Sequence, residues 1–332
     1  MSLSDTATQR SPFEVDTKVT VGISSCLIGQ NVRFNGGHTQ SKLCLYTLSE
    51  HFDFVPFCPE VAAGFKIPRP AMRLIGDPEQ PTLVYSDDAS QDLSAQIKRV
   101  SADEMSNIAS LDGYILMKNS PSCGLSRVKV YQPSGHPHPA GGRGLFASAL
   151  CERYPNLPIE EEGCLHDDRL LDNFLLRVYA HHHFRREVLQ APSMHNLIKF
   201  HSSYKYLLMA HCQKSYRSLG KLLGQAISAD LQGLIDTYFS TFMAAIAKPA
   251  SRKNNCNALL HLLGYLKRDV PGSARQSIQH TILSYRRGGI PLSAPLALLR
   301  HYIEQYGSDY AKAQRYLMPY PPSMHPIGKY PC

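Results

Sequence analysis

Three cysteines stand directly after apolar, β-rich runs of the sequence. KVTVGIS (18–24) leads into SCLIG, FDFVPF (52–57) leads into CPE, and GYILMK (113–118) leads into NSPSCG. A cysteine kept only for packing belongs inside a strand, whereas one on a loop beyond the strand end is placed to contact a ligand. Cys26, Cys58 and Cys123 are therefore the candidate reactive thiols.

If the three cysteines converge, their thiolates could bind a metal centre. A structural zinc site would need a fourth ligand and usually draws on CxxC pairs, which this sequence lacks. An iron-sulfur cubane held by three cysteines leaves one iron with an open position, a Lewis acid toward soft ligands such as sulfur. The wide spacing differs from the CxxCxxC of ferredoxins and favours catalysis over electron transfer.

Separate buried thiols are the alternative that spacing alone leaves open. Four other cysteines lie within helical patterns and are expected to be core thiols of this kind: Cys44, Cys151, Cys212 and Cys256. The total of nine is odd, and a disulfide framework is not expected in a reducing compartment.

The elements that must position the three cysteines are parallel strands. Further β-rich runs occupy 82–85 and 127–131, and helical patterns occur near 41–51, 90–110 and 145–154. This alternation predicts an α/β domain with a Rossmann-like, mostly parallel sheet. The carboxyl ends of parallel strands share one edge, where ligands bind, so the three cysteines are expected to converge.

The second half of the chain reads as helical throughout. A proline-rich, acidic segment at 154–168 marks the boundary, and helices are predicted at 168–190, 195–211, 214–247, 257–268, 276–287 and 295–307. The predicted organisation is a catalytic domain at 15–165, a connecting helix or linker at 166–190, an all-α domain at 191–318 and a loose tail at 319–332.

Charge divides the chain unequally. Residues 1–165 carry a net charge of −4, and residues 166–332 carry +12. This imbalance indicates a phosphate-rich partner for the helical half, although a solvated helix face explains any one basic residue. The candidate RNA contacts are Arg185, Arg186, Lys199, Lys205, Lys214, Arg217 and Lys221. His181 to His183 are consecutive on a helix and are expected at the surface or facing RNA.

Targeting signals are not evident in the sequence. The start, MSLSDTATQRSPFEVDTK, lacks the basic and apolar regions of a secretory leader, and no apolar run approaches the length of a membrane span. A cytoplasmic protein without a membrane partner is expected.

Several motifs together resemble the thiouracil desulfidase family over about residues 15–165. They are the three cysteine stretches, NVRFNGGH (31–38) and FCPEVAAGFKIPRP (57–70). The helical half, with MHNLIKFHSSYKYLLMAHCQKSYRSLGKLL, resembles a second domain that is often fused to the first. This two-domain arrangement is similar to that of tRNA 4-thiouridine desulfidases.

The resemblance implies a cytosolic enzyme with a 4Fe-4S cluster held by the cysteines matching Cys26, Cys58 and Cys123. One iron is not ligated by protein and takes sulfur from a thiocarbonyl, and water replaces the sulfur. The catalytic glutamate of the family matches Glu60, and its catalytic serine matches Ser120, with Ser122 as the second choice.

The same residues also have purely structural interpretations. Glu60 could activate water or act as a surface or capping carboxylate, and Ser120 and Ser122 could contact the pyrimidine or stabilise their loop. Asn35 is first a turn residue and second a base contact, and stands where relatives often carry aspartate. Ser25 is a candidate substrate contact. Arg69 could meet a phosphate or pair with a carboxylate, and glycines 141, 142 and 144 could bind an anion at a helix start.

The predicted function is conversion of 4-thiouridine in tRNA to uridine with release of sulfide. One alternative is a desulfidase of free thiolated pyrimidines such as 4-thiouracil, with the helical domain serving oligomerisation. Another is a non-catalytic, zinc-containing nucleic-acid-binding protein. In a third, the helical domain binds protein instead of RNA.

Overall fold

The computed structural model describes residues 19–225 and 230–324. Three parts of the sequence predictions lie outside these ranges. They are the first eighteen residues, part of the predicted helix at 214–247 and the end of the predicted tail. The described chain divides into two compact units, residues 19–182 and residues 183–324. The division falls inside the segment predicted as a connecting helix.

The first unit is built on seven strands. They are β1 Val19–Ser24, β2 Phe52–Phe57, β3 Met72–Gly76, β4 Pro81–Tyr85, β5 Gly113–Leu116, β6 Val130–Tyr131 and β7 Ile159–Glu161. Its helices are α1 Lys42–Tyr46, α2 Pro59–Ala62, α3 Ser94–Ile108 and α4 Leu145–Arg153, and most of α5 Asp168–Phe184 also belongs to it.

The main sheet has four parallel strands in the order β2-β1-β5-β7. The strand β1 lies between β2 and β5, and its residues are buried at almost every position. A parallel strand covered on both faces is mostly apolar, which explains the two valines and the isoleucine of VTVGIS. The α/β architecture expected from the sequence is confirmed.

Two features of this unit differ from the sequence prediction. The runs at 82–85 and 127–131 belong to a separate three-stranded sheet in the order β4-β3-β6, in which β3 and β4 are antiparallel. The strands β3 and β7 were not predicted, because β3 follows a proline-rich stretch and β7 is a three-residue acidic segment. Backbone pairing to β5 makes β7 a strand despite its composition.

The second unit is helical. Its helices are α6 Met194–His211, α7 Gln213–Gly224, α8 Leu231–Ile246, α9 Arg252–Leu263, α10 Gly272–Arg287, α11 Ser293–Tyr306 and α12 Asp309–Lys312. The prediction of one helix across 214–247 is wrong, since α7 and α8 are separate. Asp230 accepts a hydrogen bond from the Gly233 amide and begins α8, which contributes about 1 kcal/mol as an N-cap.

Aromatic rings form the core of the helical unit. Phe184 stacks on Phe239 at 4.3 Å between ring centroids, and Phe200 stacks on Tyr204 at 4.4 Å. The helix α6 packs against α7, α8 and α9. In the described ranges, no helix combines the length and apolar character that crossing a bilayer requires.

Candidate active site

The carboxyl ends of three adjacent parallel strands carry the three predicted thiols. Cys26 lies in a 3-10 turn (25–28) that follows β1 directly, and Cys58 is the residue after β2. Cys123 lies on the loop after β5. Because β1 is hydrogen-bonded to both β2 and β5, all three thiols occupy one edge of the sheet.

Local sequence explains how the first two thiols are presented. The turn carrying Cys26 ends at Gly29, whose φ of 88° is a left-handed conformation that glycine adopts without strain. Cys58 is extended and caps α2, and Pro59 takes the first helical position, where its missing amide hydrogen costs nothing. Each cysteine is therefore held at a defined point where a strand changes into a turn.

The loop 120–124 is held by hydrogen bonds from two directions. Ser120 Oγ accepts from the amides of Ser122 at 3.2 Å and Cys123 at 3.0 Å. The amides of Leu145 and Phe146 at the start of α4 donate to the carbonyls of Pro121 at 3.2 Å and Ser122 at 2.9 Å. These bonds fix the position of the Cys123 thiol.

The close approach of α4 to this loop requires a glycine. A Cβ atom at Gly144 would lie 2.5 Å from the carbonyl carbon and oxygen of Ser122 and 2.9 Å from the amide nitrogen of Cys123. The glycines proposed as an anion site are used internally instead, since the amides of residues 142 and 144 donate to Val128 and Gly124. Their function in the structure is packing.

The three thiols influence one another's ionisation. Burial raises the pKa of Cys26 to about 11, with a further increase from Cys58 and an opposing effect of the Arg33 charge. Burial also raises the pKa of Cys58. The pKa of Cys123 lies well above its ordinary value because of burial, then Cys58 and Glu60. Metal binding at these thiols would displace protons.

Glu60 is the centre of a hydrogen-bonded group beside the thiols. Its Oε1 accepts from Ser122 Oγ at 2.9 Å, and its Oε2 pairs with the buried guanidinium of Arg69. Arg69 also donates to the Val32 carbonyl at 2.9 Å. Of the two interpretations of Arg69 left open by the sequence, the structure places this residue against a carboxylate.

The two serines of the loop have different environments. Ser122 is fully buried and its hydroxyl is committed to Glu60. Ser120 is partly exposed, and its oxygen accepts from two amides. Its hydroxyl hydrogen has no acceptor among residues 19–225 and 230–324, so it can be donated to a ligand.

Other predicted contacts lie nearby along the chain. Asn35 is exposed, and its Oδ1 accepts from the Gly37 amide at 3.1 Å, as a turn residue does. Ser25 is buried next to Cys26.

Sequence reasoning missed two residues of this site. Ser24 Oγ accepts from the Met117 amide at 3.0 Å, and its hydroxyl bonds to Cys123, which offsets a small part of the rise in the pKa of that thiol caused by burial. The charge of Arg33 lies close enough to Cys26 to oppose the rise in the pKa of that thiol caused by burial. Arg33 stands in the NVRFNGGH motif, so its charge within a family motif was the available signal.

The donor set fits the cluster that the resemblance implies. Two buried thiols, Cys26 and Cys123, and the partly exposed thiol of Cys58 lie at one edge of the sheet. The nearby Tyr114 hydroxyl is buried and has no hydrogen-bond partner in the described part of the chain. A buried hydroxyl normally has a hydrogen-bond partner, and a sulfide-containing group beside Cys123 would offer an acceptor.

Within residues 19–225 and 230–324, no three Cys, His, Asp or Glu side chains are grouped to bind a single metal ion. A cubane binds each cysteine through a different iron and spreads its ligands more widely.

The chain matches two family models. A model described as 2-thiouracil desulfurase covers residues 21–162, and a model described as a protein of unknown function (DUF1722) covers residues 205–321. YbgA of Escherichia coli is 31% identical over 154 residues, which are 46% of this chain and 91% of YbgA. YbbK of Bacillus subtilis is 31% identical over 118 residues, 31% of this chain and 71% of YbbK.

The chain belongs to the 2-thiouracil desulfurase family.

A solved structure described as the 4Fe-4S-dependent thiouracil desulfidase TudS is also similar, with 27% identity. The match covers 45% of this chain and 95% of TudS, with a TM-score of 0.36. Membership of the 2-thiouracil desulfurase family supports an enzyme that removes sulfur from thiolated pyrimidines. The sequence resemblance to this family is thereby confirmed.

The histidine tract of this desulfurase family member is not at the surface, and the expectation of surface or RNA-facing histidines is wrong. His181 Nδ1 and His182 Nδ1 lie 3.1 Å and 2.7 Å from the two carboxylate oxygens of the fully buried Asp112. His183 Nδ1 lies 2.6 Å from the hydroxyl of Tyr204. A carboxylate distant in sequence accounts for the burial of two adjacent polar side chains.

Beyond the desulfurase domain, the predicted RNA contacts are distributed over several helices. Lys199, Lys214, Arg217, Lys221 and Arg186 are exposed, whereas Lys205 and Arg185 are partly buried. Lys205 and Arg217 line the same cleft.

Cys212 also differs from the expectation of a core thiol. It precedes α7 and is partly exposed, and a hydrogen bond from Ser215 and nearby backbone amides lower its pKa.

Proposed function

We propose that this protein converts 4-thiouridine in tRNA to uridine and releases the sulfur as sulfide. The observation that carries the proposal is the convergence of three thiols, two buried and one partly exposed, with a Glu60–Ser122 pair at one edge of a parallel sheet. Thiols suit a soft metal centre, and a carboxylate beside them suits proton transfer from water. This combination matches the removal of sulfur from a thiocarbonyl.

Cys26, Cys58 and Cys123 would hold a 4Fe-4S cluster, with one iron not ligated by the protein. When bound, such a group supplies an open Lewis-acidic position with affinity for sulfur. The Tyr114 hydroxyl, which has no hydrogen-bond partner within residues 19–225 and 230–324, supports the presence of a further acceptor in this region.

Glu60 takes the proton of the attacking water in this proposal. The overall change of C=S and water into C=O and hydrogen sulfide transfers no net electrons, so proton movement is the task left to side chains. Arg69 and Ser122 each bond one oxygen of the carboxylate and hold it in place, while its remaining lone pairs can accept from water.

Ser120 is the serine proposed to touch the substrate. Its oxygen is fixed by two amides, which directs its hydroxyl hydrogen toward a further acceptor such as the pyrimidine. Ser122 is a positioning residue for Glu60. Ser25 and Asn35 are further proposed substrate contacts, one buried next to Cys26 and one on an exposed turn.

The tRNA substrate is supported by the charge of the helical half. Residues 166–332 carry a net charge of +12, and five of the seven proposed RNA contacts are exposed. Phosphate contacts from lysine and arginine supply most of the sequence-independent affinity of proteins for nucleic acids. Arg185, Arg186, Lys199, Lys205, Lys214, Arg217 and Lys221 are the proposed contacts.

A free thiolated base is the second candidate substrate. The description of the matching family names 2-thiouracil, a free base, and the sheet-edge site does not require a polynucleotide.

Incubation of anaerobically reconstituted protein with bulk tRNA, followed by nucleoside analysis, tests the proposal. Loss of 4-thiouridine with a matching gain of uridine and sulfide is expected. Consumption of free 4-thiouracil without any change in tRNA would support the second candidate. An iron-free protein with full activity would exclude the proposed cofactor.

A further inference from the structure

A cleft in the helical unit lies between α6, α7 and α12. Its volume is about 390 Å³, which is in the range of small-molecule sites and sufficient for one nucleotide. Lys205, Tyr216, Arg217, Tyr310 and His201 line it. No acidic side chain is among its lining residues in the described part of the chain.

Lys205 is held in the cleft by aromatic rings. Its Nζ lies 5.7 Å from the ring centroid of Tyr206 and 6.0 Å from that of Tyr310. The Tyr206 hydroxyl donates to that of Tyr265 at 2.9 Å. Burial lowers the pKa of Lys205, but the neighbouring phenols outweigh this effect and raise it overall. The ammonium is therefore charged, and no ion pair to it occurs among the described residues.

The neighbouring face of α7 offers a second cation and an aromatic ring. Arg217 is exposed, and within residues 19–225 and 230–324 it forms neither an ion pair nor a hydrogen bond. Tyr216 is partly exposed and close enough to Lys205 to raise its pKa. In the same ranges the Tyr216 ring makes no ring contact. Both groups are available to a ligand.

His201 forms an uncharged wall of the cleft. Burial, and secondarily the charge of Lys205, lower the pKa of His201 to about 4, so the imidazole is neutral at physiological pH. Its Nδ1 lies 3.1 Å from the Tyr238 hydroxyl. The positive charge of the cleft thus comes from Lys205 and Arg217.

We propose that this cleft binds a single nucleotide of an RNA, with a phosphate between Lys205 and Arg217 and a base against the ring of Tyr216. The inference rests on the proposed tRNA substrate for the class of ligand. Two cations without acidic partners fit a phosphodiester, and an available ring fits a base, because stacking accepts any base. A cleft of this volume is larger than a phosphate alone needs.

The consequence is a contact with an unpaired nucleotide. A base can reach a side-chain ring only where it is unstacked, in a loop, a bulge or a single-stranded end of the RNA. The cleft therefore anchors tRNA through its loops or its end, independently of the thiolated base.

The test is the affinity of the full-length protein for bulk tRNA, measured by filter binding over a series of salt concentrations. Arg217→Ala is expected to weaken binding about tenfold and to lower the salt slope by about one. Tyr216→Ala is expected to weaken binding about tenfold, whereas Tyr216→Phe, which keeps the ring, binds as the wild type does. Arg287→Ala, an exposed arginine on α10, is the matched control and leaves affinity unchanged.

Two readouts separate failure of this inference from failure of the proposed function. The iron content and the thermal midpoint of each variant are expected to equal those of the wild type. Wild-type affinity of both alanine variants, or an equal loss in Tyr216→Phe and Tyr216→Ala, overturns the nucleotide site while leaving desulfuration of tRNA intact. If the wild type binds tRNA through these residues without removing its sulfur, the nucleotide site is supported and the proposed function fails. Absence of any tRNA binding overturns both.

Discussion

The sheet edge of the first unit and the cleft of the helical unit hold their polar side chains in opposite ways. At the sheet edge, Glu60 is bonded to both Ser122 and Arg69, and the loop carrying Cys123 is tied to α4. In the cleft, rings hold Lys205, and Arg217 points its charge to solvent. The first arrangement restricts geometry before a substrate arrives, as chemistry requires, and the second leaves groups that can adapt to a flexible polymer.

Removal of a thiol at the sheet edge is expected to have the largest effect, and to affect the chemistry without affecting tRNA binding. Cys58→Ala is expected to reduce the iron content and to abolish desulfuration, because the other two thiols cannot hold the cluster in place. Its tRNA affinity should stay within about twofold of the wild type, since Cys58 is not one of the proposed RNA contacts. Iron analysis, turnover and filter binding on one preparation measure all three.

The matched control is Cys164→Ala, which removes a partly exposed thiol in a 3-10 turn outside the site. It should retain iron and activity. A Cys58→Ala protein that lacks iron and remains fully active would contradict the assignment.

Neutralising Glu60 is expected to have the next largest effect. Glu60→Gln keeps the size of the side chain but removes the proton acceptor, so turnover should fall by about 10²- to 10⁴-fold at unchanged iron content. Glu79→Gln, an exposed glutamate, is the control. Thermal unfolding of both variants separates lost chemistry from lost structure, and near-normal turnover of Glu60→Gln would leave this residue a structural role only.

Two glycine substitutions compare how well the sheet edge and the helical unit accommodate an added methyl group. Gly144→Ala places a methyl group against the Ser122 carbonyl and should lower the free energy of unfolding by about 1–3 kcal/mol. Gly264→Ala adds a methyl group in open space at helical backbone angles and should be neutral or stabilise by about 0.5–1 kcal/mol. Denaturant unfolding measures both, and equal effects would show that the sheet edge is no more tightly packed than the helical unit.

The smallest expected effect concerns pH and the helical unit. The pKa of His201 is lowered from 6.5 to about 4, so between these values the unfolded chain binds a proton that the folded chain does not. The contribution of neutral His201 to the free energy of unfolding is therefore complete above about pH 6.5 and is lost as the pH falls toward 4. His201→Gln should therefore show a smaller drop in thermal midpoint between pH 7 and pH 5 than the wild type.

His211, whose pKa is also lowered by burial, keeps part of the pH dependence in that variant. An unchanged pH dependence in His201→Gln would place the acid sensitivity elsewhere.

The sequence was sufficient to predict the sheet edge because its signals are local. Cys26 and Cys58 directly follow apolar strand patterns, and parallel strands necessarily bring such residues to one edge. The short strand β7 and the separate sheet of β3, β4 and β6 were not predictable in this way. Their residues are strands because of pairing partners that local patterns do not specify.

Contacts over long sequence distances account for the other differences. His181 and His182 are buried because Asp112, about seventy positions earlier in the chain, offers an oxygen to each. The bond between Ser122 and Glu60 spans 62 positions, so the sequence could not separate the two serines of the loop. The helical cleft was not predictable either, because it is lined by Tyr216 and Tyr310, which are far apart in the sequence. Helical periodicity alone indicates that such rings are core residues.

The bonds between α4 and the Cys123 loop also concern how this loop acquires its shape. Since the carbonyls of Pro121 and Ser122 accept hydrogen bonds from amides of α4, the loop that carries Cys123 is positioned by contacts within the polypeptide. A chain that lacks the proposed cluster is therefore expected to keep this loop in place.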